Sequence, residues 1–336
     1  MKKKALLICS QNPYPCVNNG IERLIVGYES HIFSDFDVYL LYYSSGHPIQ
    51  MFHYGQPLLV EARPESLLEQ GFAFVFLFNY DSDFQQDDFI LPLLARFPCF
   101  QFLQAHPVAG MNDNHFRGTI AQSSSTPAKD VFVPGGFFDS GVFFRKNGRS
   151  NELVVCVARI HEDKNQLELL QGYKERIYNK YGLPLYLAGG GGLRYDEDLY
   201  FQEVMKFVDG VAILSNADPE KPLAPTSWLE PAEVASLLHR ARLAVMPSPQ
   251  ESFCIALLEA LACGTTCVVN GRYSAFQPED LGPQVFGSVT GKQGTILDWV
   301  EAALQKNIRI DSSAWAAEFS SAEIKPKLLR FIQERC

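Results

Sequence analysis

The sequence predicts an α/β protein built from two Rossmann-like, doubly wound domains. Three observations carry that prediction. Short continuous apolar runs, the pattern of parallel strands buried on both faces, alternate with helical stretches. The 336 residues are too many for one ordinary core and enough for two. The alternation halts at the polar stretch 145–151 (Arg-Lys-Asn-Gly-Arg-Ser-Asn) and starts again at Glu152. We therefore place a first domain at 1–145, a second at 146–315 and a C-terminal helix at 316–336.

In the first half, residues 5–9 (Ala-Leu-Leu-Ile-Cys) read as a central strand. A loop rich in Pro and Asn ends at Asn19-Gly20, and a helix starts at Ile21. Strands follow at 38–43 and 58–63, a short helix at 66–71 and a buried strand at 72–78. A helix at 88–96, with Asp87 and Asp88 as its cap and first-turn acids, leads to a strand at 99–104. Segments 119–125 and 131–134 complete the half. Such alternation implies right-handed crossovers and a parallel sheet.

The second half opens with a strand at 152–157, then a helix at 166–181, a strand at 184–188 and four glycines, 189–192. A helix at 201–209 and a strand at 210–215 precede a helix at 231–240, which Pro231 starts. A strand at 243–246 follows, and helices close the chain at 297–304 and 315–335.

Composition narrows the function classes. Apolar residues make up 47% and charged residues 20%, which is globular. A net charge of -9 argues against the basic stripe that duplex nucleic acid requires, so no nucleic-acid partner is expected. The eight cysteines form no CxxC pair, which points to free thiols in a reducing compartment and no zinc site. Lys2–Lys4 followed by five apolar residues is too short for a signal peptide, and no run approaches about 20 apolar residues. The expected location is the cytoplasm. A peripheral contact with the inner membrane face stays open, although the acidic balance lends it no support.

One stretch carries the richest pattern: Met246-Pro-Ser-Pro-Gln-Glu251-Ser-Phe-Cys-Ile-Ala-Leu-Leu-Glu259-Ala-Leu-Ala-Cys-Gly264. It reads as a strand end, a loop, a helix and a glycine stop. At about 3.6 residues per turn, Glu251 and Glu259 fall on nearly one helix face. The helix start offers unpaired N–H groups to a phosphate, and the two carboxylates suit sugar hydroxyls. An ordinary amphipathic helix fits the same pattern. Arg159-Ile-His-Glu-Asp-Lys164 follows a buried strand, where α/β sheets bind ligands. Two cations there can clamp a diphosphate leaving group, or can be solvated surface charges. Gly189 and Gly190 either bring backbone near a ligand or make a tight turn, since no GxGxxG pattern accompanies them. His106 ends a strand and suits either acid–base work or a structural role. Asp81-Ser-Asp83 could hold a divalent cation with donor phosphates, or be an acidic loop.

Together the pieces resemble the GT-B glycosyltransferases of retaining family 4. The match consists of Arg159-x4-Lys164, Leu187-Ala-Gly189-Gly190, Pro247-Ser-x-x-Glu251-x-Phe253, Glu251-x7-Glu259 and Ala262-x-Gly264. Val131-Phe-Val-Pro134-Gly-Gly-Phe-Phe-Asp139 looks like the family's segment before the interdomain linker. The resemblance covers about residues 130–315, and the first domain matches more loosely.

The resemblance implies two domains facing a cleft, with the last helix crossing back to the first domain. It implies transfer of a sugar, with retention and without a metal, from a nucleotide-diphosphate sugar to a hydroxyl of a glycan, lipid-linked or small-molecule acceptor. Beyond that donor no cofactor is expected. Arg159 and Lys164 would neutralise the diphosphate, and Glu251 would hold hydroxyls of the transferred sugar. The amides of Phe253, Cys254 and Ile255, next to Ser252, would meet phosphate or sugar, and Glu259 would hold the ribose. His106 would lie near the transferred sugar, Asn19 and Gly20 near phosphate and acceptor, and Trp228 and Leu229 near the base. Asn19 departs from the family's first glycine of a pair, and Ser252 and Cys254 stand where glycines are usual. Rival readings are a sugar-nucleotide epimerase, a metal-dependent transferase using Asp81 and Asp83, and a non-catalytic sugar-nucleotide or glycan binder. The sugar, the base, the linkage and the oligomeric state are not set by these residues.

Overall fold

The computed structural model describes residues 2–10, 20–43, 49–58, 64–78, 88–103, 116–121, 136–148, 150–190, 199–207, 211–214, 229–290 and 293–336. The chain divides into two units, Met1–Asp139 with Phe319–Cys336, and Ser140–Glu318. The first contains β1 (Lys4–Cys9), α1 (Gly20–Gly27) with a π-helical continuation at Tyr28–Ile32, β2 (Asp37–Tyr42), β3 (Gln50–His53), β4 (Gln56–Leu58), α2 (Pro64–Leu68), β5 (Phe74–Phe78), α3 (Ile90–Arg96), β6 (Cys99–Leu103) and β7 (Gly118–Ala121). The second opens with β8 (Leu153–Val157), α4 (Gln166–Leu170), α5 (Asn179–Tyr181), β9 (Leu185–Ala188), α6 (Leu199–Met205), β10 (Ala212–Leu214), α7 (Pro231–Arg240) and β11 (Ala241–Met246). It continues with β12 (Gln250–Glu251), α8 (Ile255–Ala262), β13 (Cys267–Val269), β14 (Arg272–Tyr273), α9 (Pro278–Leu281), β15 (Phe286–Gly287), α10 (Ile296–Gln305) and α11 (Ser313–Ala317). Last comes α12 (Ser321–Gln333), which belongs to the first unit.

In the first unit the parallel strands run β2-β1-β5-β6-β7, and the hairpin β3–β4 adds an antiparallel edge beside β2. Of the expected strand at 58–63 only Leu58 is among the described residues, and it ends β4 in a tight hairpin at 50–58. Its two turn residues, Tyr54 and Gly55, both have positive φ (47° and 75°), the conformation that matches strand twist in a two-residue hairpin. β5 shows why a buried parallel strand reads as an unbroken apolar run. Phe76 and Phe78 pack their rings against Tyr28. The alternate residues Val75 and Leu77 join Ile90 and Leu93 in a separate core cluster. α12 closes this unit: Phe331 packs on Phe100 with ring centroids 6.0 Å apart, and a Cβ at Gly118 would lie 2.4 Å from the Phe331 ring. The Lys325 ammonium also reaches Ser34 Oγ at 2.8 Å and Asp35 at 2.9 Å.

The main sheet of the second unit is parallel, with order β10-β9-β8-β11-β13-β15. Two helices expected to be continuous are broken. The one at 166–181 stops at Leu170 because Gly172 takes φ 89°, and a π-helical turn at Lys174–Tyr178 leads into α5. The one at 315–335 divides where Ser320 caps α12, its Oγ accepting from Glu323 N at 3.3 Å. Asp88 caps nothing: α3 begins after Phe89 with no side-chain cap. Among the described residues no helix is long and apolar enough to cross a membrane. Cys9, Cys99, Cys156, Cys263 and Cys267 are buried, Cys254 is half-buried and Cys336 exposed.

Candidate functional site

Strand order alone marks where a ligand fits in the second unit. From β8 the chain moves to β9 and β10 on one side, then returns to β11 on the other side of β8. Loops leaving the carboxyl ends of β8 and β11 therefore diverge, and a crevice opens at that reversal. The loop after β8 carries Arg159 and Lys164, and the loop after β11 carries Glu251. Glycines let neighbouring backbones close in. A Cβ at Gly189 would sit 2.0 Å from Ala158 O, and one at Gly271 would sit 2.3 Å from Ser248 O. Ile160 N donates to Gly190 O at 2.8 Å, which ties the two loops together. Gly189 and Gly190 thus support the Arg159 loop by close approach.

Lys164 ends a 3-10 turn at Glu162–Lys164, and Asn165 follows with φ 55°, a left-handed conformation that Asn tolerates. This turn aims the Lys164 ammonium at Glu251, where Nζ donates to Oε1 at 2.8 Å. The two side chains are only 21% and 12% exposed. Burial by itself lowers the Lys164 pKa, but the Glu251 carboxylate outweighs it, and with Asp163 holds the ammonium above its ordinary range. The site therefore keeps a firmly charged cation, 87 positions in sequence from its carboxylate. Arg159 is more open, with its guanidinium 3.7 Å from Asp163, while its carbonyl accepts from Gln166 Nε2 at 2.8 Å.

Glu251 is not on the helix, which corrects the expected shared face with Glu259. It lies in β12, paired in parallel with β14 so that Glu251 stands opposite Tyr273. Ser274 N and Ala275 N donate to the carbonyls of Glu251 and Ser252 at 3.0 and 2.8 Å. Phe253 is buried and packs against Phe276. α8 begins only at Ile255, after Cys254 turns the chain with φ 57°. Glycine is the residue that adopts this conformation without strain, so a cysteine here carries a cost of about 1 kcal/mol. Burial also pushes the Cys254 thiol well above its ordinary pKa, and Glu251 adds to the shift. Of the first-turn amides of α8, Leu257 N donates to Cys254 O at 3.0 Å, and those of Ile255 and Ala256 have no carbonyl within the helix to reach. Glu259 is buried, 1% exposed, on a helix whose residues 257–262 are all buried. α8 is thus a core helix rather than an amphipathic one.

His106, Asn19, Trp228, Asp81 and Asp83 lie outside the described residues. Gly20 opens α1, and Leu229, half-buried, precedes the Glu230 capping box of α7. Among the described residues, no group of three or more His, Cys, Asp or Glu side chains could hold a metal ion. Sequence reading missed Glu168 and Asn270, which join the loops behind the Lys164–Glu251 pair. An acid in a first helical turn and an Asn at a strand end are too common to stand out.

Three comparisons bear on this geometry. Residues 151–279 match the glycosyl transferases group 1 family. The chain is 25% identical over 169 residues to N-acetyl-alpha-D-glucosaminyl L-malate synthase of Bacillus anthracis, covering 46% of this chain and 40% of that protein. It is 29% identical over 187 residues to D-inositol 3-phosphate glycosyltransferase of Segniliparus rotundus, covering 54% and 34%. The chain thus spans less than half the length of either relative. Its fold matches that of Anabaena HepE, solved in complex with UDP, with a TM-score of 0.66 and 14% identity over 99% of this chain and 100% of that one. The two Rossmann-like units are those of the GT-B fold.

Proposed function

We propose, on the match of residues 151–279 to the glycosyl transferases group 1 family, that the chain is a retaining glycosyltransferase using a UDP-sugar donor. The observation that supports this reading best is the Lys164–Glu251 ion pair at the strand-order reversal. It sets a diphosphate-binding cation directly beside a carboxylate suited to sugar hydroxyls. Uridine is the proposed base because the fold relative HepE was solved with UDP.

In the proposed reaction Arg159 and Lys164 neutralise the diphosphate, and the first-turn amides of α8, at Ile255 after Phe253 and Cys254, meet its oxygens. Glu251 orients the sugar and Glu259 holds the ribose. The bond between the anomeric carbon and the phosphate oxygen breaks. The acceptor oxygen bonds to that carbon on the same face, and its proton passes to the departing phosphate, so UDP leaves. Charge stabilisation and positioning carry the rate, and no side-chain nucleophile or metal is required. His106, Asn19, Gly20, Trp228 and Leu229 complete the proposed contacts. The acceptor is a hydroxyl of a glycan, a lipid-linked sugar or a small molecule. We place the protein in the cytoplasm.

The test has two arms. A thermal-shift panel of UDP, GDP, ADP and dTDP should show stabilisation by UDP, because a ligand bound to the folded state raises the melting temperature. Incubation with UDP-sugars, followed by mass analysis, should show released UDP. Alanine at Arg159 or Lys164 should slow release by about 10²–10³-fold. Near-wild-type turnover of both variants sinks the assignment. An isomerised donor without UDP release indicates an epimerase, and binding without turnover indicates a binding protein.

A further inference from the structure

Behind the Lys164–Glu251 pair lies a polar knot that the reaction as proposed does not use. Glu168, in the first turn of α4, accepts three donors. Its Oε2 takes the side-chain amides of Asn165 and of Asn270, the latter at 3.2 Å, and its Oε1 takes Ile296 N at 3.1 Å. Both Asn amides also donate to Pro247 O, at 3.4 Å from Asn165 and 3.0 Å from Asn270. One carboxylate thus joins the loops after β8, β11 and β13 to the start of α10.

The chemistry of the knot is selective. Every group facing Glu168 in it is a donor, so the knot requires a residue that only accepts, which an ionised carboxylate does. A glutamine of the same shape must turn its NH2 either on the two Asn amides or on Ile296 N–H. Either orientation leaves donors without an acceptor. The position matters because both members of the ion pair hang from this knot. Lys164 immediately precedes Asn165, and Glu251 lies four residues beyond Pro247. A shift of the two loops relative to each other moves the ammonium and the carboxylate apart.

We infer that Glu168 is a positioning residue: it fixes the Lys164 and Glu251 loops in the register that receives the donor diphosphate. This inference rests on the proposed nucleotide-sugar site. The experiment compares UDP and uridine by calorimetric titration into wild type, Lys164→Met, Glu168→Gln and Asn270→Ala, with thermal unfolding of each. Uridine lacks the diphosphate, so it reports the folded nucleoside side alone. Glu168→Gln should melt cooperatively and bind uridine within about twofold of wild type, yet lose about tenfold or more in UDP affinity, the scale seen when residues supporting a binding group are removed. Asn270→Ala, which removes one strand of the knot, should show the same split with a smaller loss. It carries the comparison if Glu168→Gln does not fold. Unchanged UDP affinity in Glu168→Gln, while Lys164→Met weakens UDP, overturns the positioning role and leaves the site reading intact. Equal loss of UDP and uridine in both knot variants also overturns it, since that is general damage. Unchanged UDP affinity in Lys164→Met overturns the donor-site reading, and the inference with it.

Discussion

Removing the Lys164–Glu251 interaction should cost the second unit stability in a way that a double-mutant cycle can isolate. At 2.8 Å the gross attraction is about 6 kcal/mol for an effective dielectric of about 20. Most of it is offset by taking both groups from water, and a charge-assisted hydrogen bond retains a net of about 1.5–3 kcal/mol. We therefore expect a coupling energy of about 2 kcal/mol between Lys164→Met and Glu251→Gln. Each single variant should lower the melting temperature of this unit by roughly 4–8 °C. The assay is urea unfolding of wild type, both single variants and the double variant at pH 7. A coupling below about 0.5 kcal/mol, the level of simple additivity, would refute the pair as described.

The same cycle has a pH signature. In the wild type the Lys164 pKa is raised, so its stabilisation is complete below the ordinary lysine value near 10.5 and is lost only as pH rises through the higher folded value. In Glu251→Gln burial acts with its main opponent gone and lowers that pKa. The variant then regains stability as pH climbs through the lowered value. The gap between wild type and Glu251→Gln should narrow from pH 7 towards pH 10, and a constant gap across that range would contradict the assigned cause.

Other outcomes follow from the same geometry. Cys254→Gly should relieve the left-handed strain and stabilise by up to about 1 kcal/mol in chemical denaturation, and a loss of that size instead would mean the thiol packs favourably enough to outweigh it. Gly189→Ala places a methyl 2.0 Å from a backbone carbonyl that cannot move aside cheaply, so it should destabilise by about 1–3 kcal/mol and weaken UDP binding, whereas a silent substitution would disprove the close approach. Glu259→Ala should reduce uridine affinity by about tenfold or more, as loss of a charged hydrogen-bond acceptor does, and unchanged uridine binding would remove Glu259 from the nucleoside contacts.

How much of this was visible in the sequence depends on whether the deciding contact was local. Helix α7 could be read with its observed limits, because Pro231 starts it and its apolar residues recur at helical spacing. β5 and β8 were visible because strands covered on both faces leave a run of apolar residues whatever surrounds them. Glu251 was misplaced because what takes it off the helix is a two-residue bridge to Arg272 and Tyr273, more than twenty positions away. Cys254 hid the true helix start, since a cysteine gives no sign of positive φ where a glycine would have. The break after Leu170 rests on one glycine, Gly172, inside an otherwise helical pattern. The meeting of Lys164 with Glu251 is a product of strand order, which periodicity does not reveal. Only the resemblance of the paired motifs linked them beforehand. Glu168 had no such signal, because its partners come from three separate loops.

A crystal structure with UDP bound tests the central claim most directly. The account predicts diphosphate oxygens within about 3 Å of Lys164 Nζ and the Arg159 guanidinium, facing the first-turn amides of α8. UDP held elsewhere, or a diphosphate that leaves both cations untouched, would contradict it.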